Sequence, residues 1–175
     1  MKRFVFIILF TITVLCAVFV YAESNGSVDD YYAEVLNEEN KTIGEEYITR
    51  NEFVSILMKG MGYTKDLYIC SFYDIYDADW DYIYIANAEH RGIALGNSEG
   101  GFAPYNLLTV QDAVTFVSRA FKVKPYFGDN DERNIMSPIS PAYAQDYIKY
   151  AISVGAYPQN NKPTAPDELM TTKQA

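Results

Sequence analysis

Three short stretches of this chain open in the same way, and their spacing limits what it can fold into. Thr49-Arg50-Asn51-Glu52, Thr109-Val110-Gln111-Asp112 and Thr171-Thr172-Lys173-Gln174 each place a threonine three residues ahead of a carboxylate or amide. A threonine hydroxyl can cap a helix there while the later side chain reaches back to the cap's own N–H. The starts stand 60 and 62 positions apart, a near-constant period that predicts a repeated supersecondary unit. A second element repeats in phase: Trp80, Tyr84, Ile85, Ala88 and Gly92 reappear 63 positions later as Tyr143, Tyr147, Ile148, Ala151 and Gly155. The first four share one face of a helix, and the glycine suits the left-handed position that ends it. Each unit is therefore expected to be two helices joined by a loop.

The helix stripes support that reading. From Thr49 to Met61, Phe53, Ile56, Leu57 and Met61 recur at helical spacing, and Gly60 and Gly62 supply a stop. From Thr109 to Phe121, Ala113, Phe116, Val117 and Ala120 fall on one face. Such stripes are core positions first. Between the central helices, the loop from Ala94 to Leu108 holds Gly96, Asn97, Gly100, Gly101 and Pro104. It can turn tightly and bring its N–H groups near a bound group, or serve only as a connector. A second linker, Lys122 to Ser140, carries Asp129-Asn130-Asp131-Glu132, which lacks the alternating spacing and later glutamate of a calcium loop.

The N-terminus reads as an export signal over residues 1–22. Lys2 and Arg3 precede an apolar run from Phe4 to Val20, and Val20-Tyr21-Ala22 offers a small-residue cleavage site. An uncleaved anchor is the alternative, but the run is at the short limit for a membrane span. Cys16 invites a lipid-anchor reading, against which Leu15 occupies the place where a small residue is needed. Residues 23–47 are an acidic lead-in, with eight Asp or Glu against Lys41 alone. Within it, Asp29-Asp30 followed by Tyr31, Tyr32, Val35 and Leu36 can make one short helix, the shortened first half of unit one.

Cleavage would leave 12 basic residues against 23 acidic, a net charge of −11. So acidic a chain repels nucleic acid and anionic lipid, which excludes both as expected partners. Only Cys70 would remain, so the fold must rest on packing without an internal disulfide. No catalytic constellation stands out. Nucleophilic catalysis needs a base beside its nucleophile, and the one histidine, His90, falls near the end of the central helix, where it caps carbonyls or faces solvent. No cysteine or histidine pair has metal-ligand spacing. The chain is expected to be no enzyme, with no cofactor and no metal. Its 16 tyrosines instead favour binding, because flat rings stack on sugar faces and hydroxyls bond to sugar oxygens.

The order Phe72, Asp74, Trp80, Ile85, Ala88, Gly92-Ile93, Gly96, Phe102, Pro104, Leu108-Thr109 and Arg119 resembles an S-layer homology repeat. Ile48-Thr49-Arg50-Asn51-Glu52 resembles that family's "ITRAE" helix start. The resemblance implies an all-α fold in which two-helix units form a pseudo-threefold bundle. It divides the chain into 48–71 (second helix and linker of unit one), 72–134 (unit two) and 135–175 (a degenerate, incomplete unit three). It implies a non-catalytic module, exported to the wall of a bacterium with a Gram-positive-type envelope. There it would bind secondary cell-wall polysaccharide through a pyruvylated or otherwise acidic sugar.

Carried over residue by residue, the resemblance makes Arg50 the partner of the acidic group and Trp80 a platform for the sugar ring. Asp74 would accept hydroxyl protons or hold Arg50, and the loop bearing Gly96, Gly100 and Gly101 would close the groove. Val110 and Thr172 stand where the motif arginine belongs in units two and three, so at most one groove is expected to be complete. The third unit reads as kept for packing. With four residues after Thr171, its second helix is expected to be missing or to come from sequence beyond Ala175. The alternative is a repeat module for assembly with other surface-layer proteins, without glycan binding, or the anchor fragment of a larger surface enzyme.

Overall fold

A computed structural model describes residues 28–38, 41, 46–125, 141–157 and 165–175. The leader over residues 1–22 and the Asp129–Glu132 cluster lie outside them. Five helices follow in order: α1 (Val28–Glu38), α2 (Arg50–Gly60), α3 (Tyr82–His90), α4 (Val110–Ala120) and α5 (Ala142–Ser153). Among the described residues there is no strand, only three isolated antiparallel bridges. The fold is all-α.

Helix α2 is the centre. Asn51, Glu52, Phe53, Val54, Ser55, Ile56, Met58 and Lys59 are all buried, so burial runs around the helix rather than along one stripe. Helices α1 and α3 pack on it, while α5 packs on α4. Three of the polar groups taken inside find partners, while the Ser55 hydroxyl has no hydrogen-bond partner among the described residues. Asn51 Nδ2 donates to Asp81 Oδ2 at 2.8 Å, and Lys59 Nζ reaches Glu34 at 2.6 Å. Glu52, fully buried, accepts from the Thr49 N–H at 2.6 Å and pairs with Lys41 at 2.7 Å. Unpaired, each would cost more than its bond contributes.

The stripes mostly face inward as their spacing requires. Ile85, Ala88, Ala113, Phe116, Ala120, Ile148 and Ala151 are core residues, and Gly92 and Gly155 close α3 and α5 at φ +70° and +73°. Val117 departs from this pattern. It is 37% exposed, because it lies at the edge of the α4 stripe, where no described helix covers it.

The three threonine starts meet in space. Ile48 N–H donates to Met170 O, Met170 N–H to Leu108 O and Leu108 N–H to Ile48 O, at 3.1, 3.0 and 2.8 Å. These three bonds form a closed ring of backbone around buried Ile48, Leu108 and Met170. Around it, Arg50 N–H donates to Asn106 O, Val110 N–H to Glu168 O and Thr172 N–H to Glu46 O. The first turns of α2 and α4 thus have donors capped by carbonyls of a distant segment, where helix ends otherwise leave them unmet.

The segment after Thr171, expected to be too short for a turn with a buried face, forms one. Gln174 and Ala175 donate to Thr171 O, and Thr172 is 2% exposed. The ring seats it without a helix behind it. Truncation before Glu168 should therefore cost more than about 2 kcal/mol, since it removes two of the three ring bonds, the Val110 cap and buried Met170. Urea unfolding checks this; unchanged stability would show the segment to be passive.

Candidate functional site

A groove of about 570 Å³ opens between α2, α4, α5 and the loop over residues 95–107. Arg50, Asp112, Arg119 and Tyr143 supply its charged and phenolic groups, with Asn97 and Ser98 on its loop side. Arg50 is held firmly. Its Nη1 donates to Asp112 Oδ2 at 2.5 Å and its Nε to Phe102 O at 3.1 Å. The guanidinium lies 5.0 and 5.2 Å from the Phe102 and Phe116 ring centres, within cation–π range.

Asp112 is the meeting point. Its second oxygen accepts from the Tyr143 hydroxyl at 2.7 Å. Glu52 and Gln174 reach back to their capping threonines' N–H groups as the repeat predicts. Asp112 in the matching position is drawn instead toward Arg50, and its own N–H donates to Thr109 Oγ1 at 3.4 Å. A charged partner outcompetes a neutral backbone donor. Burial, followed by the hydrogen bond to Asp112, pushes the Tyr143 phenol well above its ordinary range.

The residues expected to form the site separate into three groups. Arg50 and Gly96 line the groove. Asp74 stands behind it, with both oxygens accepting backbone N–H groups, Phe102 at 2.8 Å and Ala103 at 2.7 Å. The carboxylate partner of Arg50 is thus Asp112, not Asp74. Ala103 takes a left-handed φ of +58°, which costs a residue with a Cβ about 1–2 kcal/mol. The Asp74 clamp offsets that cost. Gly96, at φ +69°, could take no Cβ without approaching Phe72 Cε1 to 2.6 Å. Gly100 and Gly101 shape the loop from outside the groove lining, and the Asn97 Oδ1 accepts from Gly101 N–H at 3.0 Å. Trp80 is absent from the lining; half-buried, it packs against the core ahead of α3.

Asp112, Arg119 and Tyr143 are the groove residues that periodicity left unassigned. One signal was present: Tyr143 stands in the Trp80 position of its unit, and that exchange adds a hydroxyl. His90 is exposed and stacks on Tyr68, ring centres 3.7 Å apart. Burial pushes the Cys70 thiol up to about 11, so it stays protonated at neutral pH.

The profile of the S-layer homology domain matches residues 71–109, from the turns that lead into α3 through the groove loop to the capping threonine of α4. Over these residues the chain is similar to an S-layer homology domain. Domains of this family are non-catalytic modules that hold proteins at the bacterial cell surface and generally bind cell-wall polysaccharide. No curated protein matches the chain.

Two outcomes follow from this geometry. Asp74→Ala should release the loop and cost about 2–4 kcal/mol, the worth of two charge-assisted bonds less some relaxation; thermal unfolding measures it. For Tyr143, a raised folded-state value means that the unfolded chain gives up its proton first. Its contribution is therefore complete below pH about 10 and declines as pH rises beyond that. Tyr143→Phe should flatten this alkaline fall in stability, and an identical pH profile would refute the coupling to Asp112.

Proposed function

We propose that this domain anchors an exported protein to the wall of a bacterium with a Gram-positive-type envelope. The groove would bind secondary cell-wall polysaccharide through a carboxylate borne on a sugar, such as a pyruvyl ketal. One observation carries this reading. In a chain of net charge −9, the groove gathers two arginines against one carboxylate. A local positive site on an acidic protein selects an anionic group while the remaining surface repels bulk polyanions. Tyr143, Asn97 and Ser98 add hydroxyl and amide groups suited to sugar oxygens.

The closed backbone ring fits units related by a pseudo-threefold arrangement, with the groove lying where units one, two and three adjoin. Residues 1–22 would act as the export signal, and residues 48–71, 72–134 and 135–175 as the successive units. Loss of the motif arginine at Val110 and Thr172 leaves this groove as the one built around it.

A second reading, an assembly module, draws on a different observation. Leu67 and Ile69 are 87% and 92% exposed, and Tyr73 and Tyr76 stand outward beside them, more apolar surface than a short loop needs.

Sedimentation of the full chain with purified wall polysaccharide, native and stripped of pyruvate by mild acid, separates the two. The anchoring reading expects at least about tenfold weaker binding to stripped polymer, with affinity falling as salt rises. Indifference to both polymers with concentration-dependent self-association would instead establish the assembly module.

A further inference from the structure

The two groove arginines are not equivalent. Arg50 pairs with a carboxylate, donates to the Phe102 carbonyl and lies over two neighbouring phenyl rings, Phe102 and Phe116. Nη1 and Nε are taken up by these contacts, so an acidic ligand reaching the remaining Nη2 would set its charge close to that of Asp112, which is 15% exposed. Two carboxylates sharing one guanidinium repel each other, which opposes binding there. Arg50 and Asp112 therefore cancel within the groove, and the net positive charge resides elsewhere.

Arg119 is where it resides. It lies seven residues beyond Asp112 on α4, two turns along the same helix face, and it lines the same groove. Among the described residues no carboxylate comes within ion-pair distance of it. Its polar contact is a long one, Nη1 to Ile93 O at 3.3 Å, with the Tyr147 ring centre 5.9 Å away. A guanidinium has five donors in a planar fork, and among the described residues one of them is engaged here. Tyr143 lines the groove with both arginines, close enough to feel the charge of each.

We infer that Arg119 supplies the cation that takes the ligand's carboxylate, while Arg50 is a positioning residue that fixes Asp112 and, through it, the Tyr143 hydroxyl. This rests on the glycan reading above and assigns its acid-recognising group. The fork of Arg119 receives the carboxylate side by side, and Tyr143, already donating to Asp112, presents its oxygen as an acceptor for a sugar hydroxyl.

Isothermal titration of the full chain with native and pyruvate-stripped wall polysaccharide tests it. The proteins are wild type, Arg119→Gln, Arg119→Lys and Arg50→Gln, each checked for folding by circular dichroism. Arg119→Gln should weaken binding of native polymer about ten- to hundredfold and erase the preference for it over stripped polymer. Arg119→Lys keeps the charge and the stem and should retain part of that preference. Arg50→Gln should lower the melting temperature and weaken both polymers alike, with the preference preserved.

A preference that survives Arg119→Gln, native-polymer affinity unchanged in Arg119→Lys, or a preference lost in folded Arg50→Gln overturns the assignment while leaving the glycan reading intact. Failure of wild type to bind either polymer overturns the glycan reading and this assignment with it.

Discussion

The backbone ring joining Ile48, Leu108 and Met170 is the constraint on which the rest depends. Each of these residues immediately precedes a capping threonine, so the ring fixes where α2 and α4 begin and in which direction they leave. It does so with main-chain groups, which explains why the side chains after each threonine are free to differ. Arg50, Val110 and Thr172 occupy the same place in three starts, yet their N–H groups bond identically, each to a carbonyl two residues before a ring member. The side chain after each threonine can thus differ while the backbone contribution of each start is the same.

That separation explains the groove. Arg50 leaves the first start, crosses to Asp112 in the second, and Asp112 in turn receives Tyr143 from the helix preceding the third. The ring brings these starts together, and the groove charges extend outward from it. The loop wall is organised independently, by Asp74 holding Phe102 and Ala103 and by a glycine at 96 whose place admits no side chain. A rigid loop keeps the Phe102 carbonyl and ring against Arg50, so scaffold and charge pair each support the other.

The sequence made the helices and their starts legible because these depend on local spacing. Threonine caps, aromatic stripes and terminal glycines act within a dozen residues of one another. The groove was less legible for the opposite reason. Arg50 and Asp112 are 62 positions apart, and nothing in the second start distinguishes a carboxylate that caps its helix from one that leaves to meet an arginine. Trp80 illustrates the converse: the resemblance implied a sugar platform, but the residue lies in the turn ahead of α3 and packs against the core. Tyr143 holds that position in the third unit and remains 45% exposed, so one register serves packing in one unit and the groove in another.

This difference gives the segment from α5 to Ala175 a role that the absence of an arginine at Thr172 hides. Without Tyr143, Asp112 would keep one oxygen unmatched, and the α5 side of the groove would lose its hydroxyl. Without Met170 the ring would open at the point that caps α4, the helix carrying both Asp112 and Arg119. A unit that has lost its own arginine therefore still governs how the neighbouring arginines are presented. Counting motif arginines undervalues such a chain, because the polar groups of one groove come from α2, α4 and α5 together.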